Sequence, residues 1–576
     1  MKKKFSLALV ALILLSLVVP ALVFAQQKRD QSNSSAGPNT AGKTAAPTTL
    51  AGRRPRRAPG IGTPAVAQDF NEALNVIQEH YVDGNKIDFN AVYKSSIMGM
   101  LRVLDPHSNY FDKEEFDEMK TDQRSEYLGI GASIQNYVIG ESVDTYVAAT
   151  FQNAPASRAG LRFGDRIDAV DGVSMHAKSS SEVRDKIRGP RGSHVKLTIT
   201  RANTGKSDSV EIVRDAVSQP SVPDAYMIRP GVGYIDMTHG FNYDTAEMLQ
   251  SALDFLHARG MSSLVLDLRN NPGGFLDQAI RVAETFLPKG QLILTQKGRD
   301  GMNDHEYSSR NPDPDRTPLV ILVNDYTASA SEIVAGAMQD HDRALIVGQT
   351  SFGKGLVQSI IPLEYGAGLT LTSAKYFTPS GRLIQRDYSD GGFYNYIYRG
   401  GTLRDKDDQS KPAGPASRTD TGRPVYGGGG ITPDEAVKPQ LLTSMQGRLR
   451  DPLFFFSRDV ATGRVPGLDR YKIDRAIEFR HDLEPADFPM NEAVFNAFKD
   501  YVAKDANWKT FAPVLDRNRS FIDQQIRFQL ATAAFGTVTA MQVLTKEDPQ
   551  IAKAIEVVPR ARDLAMAATR ARLQQP

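Results

Sequence analysis

The stretch from Leu319 to Gln358 constrains the fold of this chain more than any other segment. Its apolar run Leu319–Val323 is short, rich in β-branched residues and bounded by turn formers, which predicts a buried strand. The apolar spacing of Ala330–Asp340 predicts a helix soon after that strand. Ser329 and Ser331 lie at the start of this helix, where a hydroxyl meets unsatisfied N–H groups and the positive end of the helix dipole. A strand that delivers a serine to a helix N-terminus is suited to acyl chemistry, because the backbone donors there can hold a developing oxyanion.

A serine nucleophile also needs a base, and the sequence offers a lysine rather than a histidine. The nearest histidine, His341, lies at the far end of the predicted helix, about 15 Å away at a rise of about 1.5 Å per residue. A further predicted buried strand, Ala344–Gly348, leads to Lys354, which stands between two glycines. A lysine among small and apolar neighbours can be desolvated, which lowers the pKa of its amine and lets it act as a base. Gln358, four residues later, falls on the same face and can orient that amine.

Two further motifs accompany the predicted serine and lysine. The residues Ser-Ala-Ser-Glu occupy positions 329–332, and Asp-Leu-Arg-Asn-Asn-Pro-Gly-Gly occupies positions 267–274. Together with the Gly-Lys segment that follows, these motifs resemble those of the carboxyl-terminal processing, or tail-specific, protease family. The resemblance covers roughly residues 67–440, and it depends on the whole set of motifs.

The resemblance implies a role for particular residues. It makes Ser329 the nucleophile, Lys354 the general base and Gln358 the supporting amide. The oxyanion hole would consist of the backbone N–H group of Ala330 and that of Gly273 or Gly274. Ser331 remains a rival nucleophile, because the spacing to the lysine favours Ser329 only through the family resemblance. Taken alone, Ser329 would be interpreted as a helix N-cap, a common role for serine, and the full set of motifs favours the catalytic role.

Residues 121–216 form a second module, which resembles a PDZ domain. A short helix and a turn-rich hairpin are predicted over Ala154–Val173, and an alternating strand is predicted over Val195–Thr200. In PDZ domains, the loop that matches this chain's 127–131 offers backbone N–H groups to the terminal carboxylate of a peptide, which then adds as an extra strand. The resemblance therefore implies a peptide-binding loop made of Tyr127, Leu128, Gly129, Ile130 and Gly131.

The remaining core pattern alternates strands and helices. Strands are predicted over Gly231–Met237 and Ser263–Leu268, with a helix over Thr245–Ala258 between them. This alternation indicates an α/β fold with a largely parallel sheet. The family resemblance refines the expectation to a crotonase- or Clp-like protease core with an inserted PDZ-like β domain. Residues 400–430 are poor in apolar side chains and are predicted to be a long surface loop or a disordered insert.

The N-terminus has the pattern of a secretory signal: Lys2–Lys4, the apolar run Phe5–Val19, and small residues before a cleavage site near Ala25. An uncleaved membrane anchor is the competing interpretation. Either interpretation places the bulk of the protein outside the cytoplasm, in the periplasm or cell envelope. The predicted organisation is a signal peptide (1–25), a disordered linker (26–66), a helical N-terminal domain (67–120), the PDZ domain (121–216), the protease core (217–440) and a helical C-terminal extension (441–576).

Composition excludes several other classes of function. The chain has no cysteine, which excludes disulfides and thiolate nucleophiles, and its net charge of +2 argues against a dedicated nucleic-acid-binding protein. The nine histidines show no paired metal-ligand spacing, so we expect no metal or other cofactor. His107 is interpreted as a hydrogen-bonding loop residue. In the extension, Pro559 is expected to break or kink the chain between two helices.

The expected partners are protein or peptide C-terminal tails. The C-terminal extension could dock on the core, dimerise or bind an adaptor, and the sequence does not choose among these. A membrane contact is expected only if the N-terminal segment stays uncleaved. Two other functions remain open: a PDZ-bearing adaptor with an inactive protease core, and an acyl hydrolase that does not act on peptides.

Overall fold

The computed structural model describes residues 63–122, 126–389, 396 and 414–574. The predicted signal segment and nearly all of the predicted linker lie outside the described residues. The described chain divides into two compact units, residues 63–100 and residues 101–574.

The smaller unit is helical, as the sequence predicts. It holds α1 (Thr63–His80) and most of α2 (Phe89–Leu104). Helix α1 begins three residues before the end of the predicted linker: Val66 extends the apolar spacing of Phe70, and Pro64 suits the first turn of a helix. Among the helices of the described chain, none is both long enough and apolar enough to cross a membrane.

The larger unit opens with β1 (Asn109–Phe111) and α3 (Lys113–Asp122) and continues into a domain built around an antiparallel sheet. The strand order in this sheet is β3-β4-β5-β7-β8, with β6 beside β5, while β2 and β9 form a separate pair. Its elements are β2 (Glu126–Gly129), β3 (Ala132–Ile139), β4 (Ser142–Thr150), α4 (Pro155–Arg158), β5 (Arg166–Val170), β6 (Val173–Ser174), α5 (Ser180–Ile187), β7 (His194–Thr200), β8 (Ser207–Val213) and β9 (Asp215–Ser218).

Alternating burial explains why these segments form strands. Val195, Leu197 and Ile199 of β7 point inward and are almost fully buried, while the residues between them face outward. Helix α5 begins at a capping box, in which Ser179 and Glu182 bond each other's backbone N–H groups. The period-2 pattern and the cap are both legible in the sequence, and the predicted hairpin and strands are found here.

Residues 217–440, the predicted core, contain a six-stranded sheet and most of a second, smaller sheet. The first has the order β10-β11-β12-β15-β16-β21, and all its pairs are parallel except β10 with β11. The second has the order β1-β18-β13-β14, with β17 beside β18. The elements are β10 (Ala225–Arg229), β11 (Val232–Asp236), α6 (Thr245–Ala258), β12 (Ser263–Asp267), α7 (Leu276–Phe286), β13 (Leu292–Gly298), β14 (His305–Ser308), β15 (Leu319–Val323), α8 (Ala330–Asp340), β16 (Ala344–Gly348), β17 (Leu356–Pro362), β18 (Gly368–Phe377), β19 (Ala416–Arg418), β20 (Pro424–Tyr426) and β21 (Glu435–Ala436).

The six-stranded sheet is covered on both faces, which is why every residue of β12, β15 and β16 is buried. Helices α6, α7 and α8 pack on one face through side chains such as Leu253, Val282 and Val334. The largely parallel sheet predicted from the sequence is thus found.

Residues 416–426 differ from the prediction, because they are not an irregular surface loop. Strands β19 and β20 pair as a hairpin, and Val425 on β20 is buried. Arg423 anchors the hairpin by ion pairs of 2.6 Å to both Asp342 and Asp434. Few apolar residues are needed when ion pairs hold a hairpin to the core, so hydropathy alone misses it.

The C-terminal extension is helical, as predicted, and it docks within the larger unit. It comprises α9 (Ser444–Arg448), α10 (Arg450–Ala461), α11 (Glu492–Lys504), α12 (Arg519–Phe535), α13 (Thr537–Thr545) and α14 (Pro549–Leu573). Helix α14 covers the second face of the six-stranded sheet, where Ile551 and Val557 pack among Val320 and Val347.

The break expected at Pro559 does not occur. Helix α14 runs through it without interruption, from Pro549 to Leu573. Val557 and Val558 before the proline and Ala561 after it are buried against the sheet. Tertiary packing along the whole face therefore outweighs the hydrogen bond that the proline removes.

Candidate active site

Ser329 lies in a strained turn between β15 and α8. Its backbone angles are φ 56° and ψ −116°, which a residue with a side chain rarely adopts. Its N–H donates to Glu332 Oε2 at 2.8 Å, and the residue remains partly exposed. Strain of this kind persists only where the surrounding structure imposes it, and it clusters at functional sites.

Ser331, the rival nucleophile, is placed differently. It is fully buried, and its hydroxyl donates to the Asn271 carbonyl at 3.2 Å. This hydroxyl therefore helps to join the helix to the glycine-rich turn, whereas Ser329 reaches the surface of the core.

The turn Asn271–Gly274 lies directly against Ser329. A Cβ on Gly273 would stand 2.8 Å from both the Ser329 Cβ and the Ala330 nitrogen, and a Cβ on Gly274 would stand 2.0 Å from the Phe241 carbonyl oxygen. Both glycines also have positive φ, at 91° and 152°. Only glycine can occupy these two positions without displacing the backbone around the serine.

The two candidate oxyanion donors of this turn differ in their partners. The Gly273 N–H donates to the Asn271 side chain at 2.9 Å. In the described part of the chain, neither the Gly274 N–H nor the Ala330 N–H donates to another residue. These two unpaired donors are the kind of group that can hold an oxyanion.

Lys354 lies in the loop between β16 and β17 and is largely removed from water. Burial lowers the pKa of its amine to about 8, against the opposing influence of the Glu332 and Asp105 carboxylates. An amine with this pKa is substantially neutral just above neutral pH and can accept a proton.

Glu332 connects the serine to the lysine. Its Oε2 accepts from the backbone N–H groups of both Ser329 and Lys354, each at 2.8 Å. Because both nitrogens bond the same oxygen, the distance between them is at most twice this hydrogen-bond length. Its Oε1 accepts from the Ser351 hydroxyl at 2.5 Å and from the Gly353 N–H at 2.6 Å. Burial raises the pKa of this carboxyl, and the four donated hydrogen bonds oppose that rise.

Tyr376 makes a second bridge between the same two residues. Its hydroxyl lies 3.1 Å from the Ser329 carbonyl oxygen and 2.8 Å from that of Lys354, and its ring is buried. Sequence reasoning missed both bridging residues. Glu332 had a legible signal, since Ser-x-x-Glu is a helix-capping pattern, but Tyr376 had none.

Gln358 is held by a chain of polar residues. It lies on β17, and its amide donates to the Thr372 hydroxyl at 3.2 Å. The Thr372 N–H donates to the Ser108 hydroxyl at 3.0 Å, which in turn donates to Asp105 at 2.7 Å. Gln358 is therefore oriented by the loop that precedes β1, a link that the sequence does not reveal.

His107 belongs to the same loop and makes hydrogen bonds, as predicted. Its Nε2 lies 2.6 Å from the Tyr396 hydroxyl. Burial, together with the nearby charge of Lys354, lowers its pKa to about 3, so the ring is neutral at physiological pH. In the described residues, no group of histidines and carboxylates is arranged to hold a metal ion.

The predicted peptide-binding loop is partly a strand. Tyr127, Leu128 and Gly129 lie on β2 and pair with β9, while Ile130 is buried in the domain core. Burial raises the pKa of the Tyr127 phenol to about 12, and the Arg188 charge and the Gly131 N–H oppose that rise. The loop thus leaves the β2–β9 pair and brings Gly131 to the start of β3.

Comparison with known proteins identifies the family. The chain is 39% identical over 326 residues to a carboxy-terminal-processing protease of Bartonella bacilliformis, an alignment that covers 55% of this chain and 72% of that protein. The chain belongs to the carboxy-terminal-processing protease family. It is accordingly a serine peptidase.

Further similarities are found. The model of peptidase family S41 matches residues 231–391, and that of the PDZ domain matches residues 149–201. A carboxyl-terminal-processing protease of Synechocystis is 36% identical over 308 residues, covering 53% of this chain and 71% of that protein. The solved structure of a photosystem II D1 C-terminal processing protease is 26% identical in sequence, with a TM-score of 0.34. The alignment covers 67% of this chain and 95% of that chain.

Proposed function

We propose that this protease uses Ser329 as its nucleophile and Lys354 as its general base to cleave protein C-terminal tails. The observation that carries the proposal is the double bridge: Glu332 joins the two backbone N–H groups, and Tyr376 joins the two carbonyl groups. Because both the N–H groups and the carbonyl groups of Ser329 and Lys354 are bridged, their backbones keep a fixed separation. A proton transfer between the two side chains requires such a fixed separation.

The proposed reaction has two steps. The neutral amine of Lys354 takes the proton from Ser329 Oγ as that oxygen attacks the scissile carbonyl carbon. The resulting oxyanion is held by the N–H groups of Ala330 and of Gly273 or Gly274, with Gly274 favoured because its N–H is unpaired in the described residues. Lys354 then gives the proton to the leaving amine, and water, deprotonated by the same lysine, releases the acyl-enzyme.

Gln358 would position the amine in this scheme rather than take part in proton transfer. Its hydrogen bond to Thr372 fixes the side chain on the strand that follows Lys354. The core itself, a largely parallel sheet with helices on both faces, supports the crotonase- or Clp-like architecture that we propose for residues 217–440.

The PDZ domain would select the substrate by its free carboxylate. The loop 127–131 leads into β3, which is an edge strand of its sheet and lies beside α5. An edge strand offers unpaired backbone groups to which an extended tail can add. We further propose that the protein acts outside the cytoplasm, on the basis of its N-terminal sequence pattern.

The decisive experiment uses a folded carrier protein with an unstructured C-terminal tail. We expect the wild type and Ser331→Ala to cleave it, and both Ser329→Ala and Lys354→Ala to lose at least about 1,000-fold in kcat while remaining folded. Cleavage by Ser329→Ala would assign the nucleophile elsewhere. An inert wild type that still binds the tail would identify the protein as an adaptor instead.

A further inference from the structure

The C-terminal extension touches the PDZ domain at the strand edge where a tail would add. Among the described strands, β3 pairs with β4 alone, so its other edge is open to the rest of the described chain. At that edge the Arg450 guanidinium donates to the Asn136 carbonyl at 3.0 Å. Burial raises the pKa of the Asp451 carboxyl, and the nearby Val138 N–H opposes that rise. Arg450 thus supplies a donor to the edge of the strand, and Asp451 places a carboxylate beside the next N–H on that edge.

The alternation of a β-strand identifies the groups that are still open. The backbone groups of residues two apart point to the same edge, so Ala132 and Ile134 face the same side as Asn136 and Val138. No described residue outside the sheet bonds to the backbone of Ala132 or Ile134. The open part of the edge therefore lies next to the peptide-binding loop, and the occupied part lies at its far end.

The groove between β3 and α5 ends at the same place. The Asn136 side-chain amide donates to the Lys178 carbonyl at 2.8 Å, and its oxygen accepts from the Ser180 N–H. The Asn136 side chain therefore joins β3 to the start of α5.

The position of the Arg450–Asp451 pair is rigidly supported. Helix α10, which Arg450 begins, carries Phe454, and this ring stacks on Tyr137 of β3 with centroids 3.6 Å apart and planes 5° apart. Phe454 is fully buried, within a core that the extension shares with Tyr137 and Tyr146. The pair cannot leave the strand edge without disrupting this packing.

We propose that Arg450 and Asp451 close the far end of the peptide groove, so that a tail can pair with β3 only between Gly131 and Gln135. This stretch corresponds to about five residues, or about 17 Å at a rise of about 3.4 Å per residue. A longer tail would have to displace a charge-assisted hydrogen bond from the strand. The protease would consequently select tails by their last few residues and be indifferent to the residues before them.

This inference rests on the tail capture proposed above, and peptide binding tests it. The probes are fluorescein-labelled peptides of five and eight residues, made of serine and threonine and ending in a valine carboxylate, with amidated peptides as controls. For the wild type we expect the two lengths to bind within about 2-fold of each other. For Arg450→Ala/Asp451→Ala we expect the longer peptide to bind about 5- to 10-fold more tightly than the shorter, because further backbone hydrogen bonds become available.

A matched control is Arg448→Ala, which removes a nearby arginine of the extension that packs over Phe511 instead of touching β3. It should keep the wild-type length dependence. If the double variant does not fold, Asp451→Asn alone should shift the length dependence in the same direction.

The outcomes separate the two proposals. If the shorter peptide binds but length matters equally in wild type and variant, the closed groove is wrong and tail capture stands. If neither length binds either protein, or amidation makes no difference, tail capture itself is wrong and the closed groove is wrong with it.

Discussion

Gly273 approaches Ser329 so closely that a Cβ on Gly273 would lie 2.8 Å from the Ser329 Cβ. The same Cβ would lie 2.7 Å from the Ala328 carbonyl oxygen, which is too close for any real contact. The turn and the serine are therefore a single steric unit, and the position of one fixes the other.

Replacing this glycine should consequently destroy activity more than stability. We expect Gly273→Ala to lower kcat at least about 100-fold, because a displacement near 1 Å at the serine is enough for a loss of that size. The matched control is Gly290→Ala, which has a similar φ of 93° but nothing within 4 Å of the added Cβ. Steady-state kinetics and thermal unfolding of both variants test this: equal activity of the two would contradict the steric argument.

The hydroxyl of Tyr376 should matter for turnover. Tyr376→Phe removes the group shared by the Ser329 and Lys354 carbonyls, so we expect kcat to fall about 10-fold with KM unchanged. The loss in unfolding free energy should be about 1 kcal/mol. Tyr226→Phe serves as the control, because it removes a buried hydroxyl that bonds Thr545 far from the site. A similar kcat loss in both variants would mean that Tyr376 acts only through general stability.

The lowered pKa of Lys354 predicts the pH dependence of activity. Because the neutral amine is the base, kcat/KM should rise with pH up to about 8 and then level off. A pH profile from 6 to 10 checks this. A profile that is flat below 8 would show that the lysine does not act as the base.

The lowered pKa also means that Lys354 destabilises the folded protein. Its folded-state pKa lies below the usual 10.5, so between about 8 and 10.5 the unfolded chain binds more protons, and stability rises with pH across that window. Below about 8 the penalty is fully present, at roughly 3 kcal/mol. Lys354→Met should therefore be inactive yet more stable than the wild type at pH 7, with the difference shrinking toward pH 10.5. Denaturant titrations at the two pH values measure it, and an unchanged difference would refute the assignment.

Thr372 should act on catalysis through Gln358. Thr372→Val removes the acceptor of the Gln358 amide, and we expect kcat to fall by about 10-fold. In a Gln358→Ala background, the same substitution should have no further effect, since the two residues act in series. Thr370→Val, two residues earlier on the same strand, is the control. Additive losses in the double variant would show that Thr372 acts independently of Gln358.

The sequence predicted the elements around the site well, because each carries a local signal. Leu319–Val323 and Ala330–Asp340 were predicted with the bounds that the structure has, since a short uninterrupted apolar run and apolar residues at helical spacing are both local signals. The predicted hairpin and strands of the PDZ domain are present for the same reason. The roles assigned to Ser329, Lys354 and Gln358 came from the family motifs and stay predictions.

The failures occur where distant residues decide the structure. The β19–β20 hairpin depends on ion pairs from Arg423 to Asp342 and Asp434, and hydropathy does not register them. Helix α14 continues through Pro559 because the sheet covers its whole inner face.

By itself, the sequence determined most of the strands and helices, the family and the residue types of the site. Only the tertiary structure decided that Glu332 and Tyr376 tie Ser329 to Lys354, that Thr372 holds Gln358, and that Arg450 reaches Asn136. The physical reason is that these contacts join one secondary-structure element or loop to another. Periodicity and capping report the local backbone, whereas such contacts depend on how the elements pack.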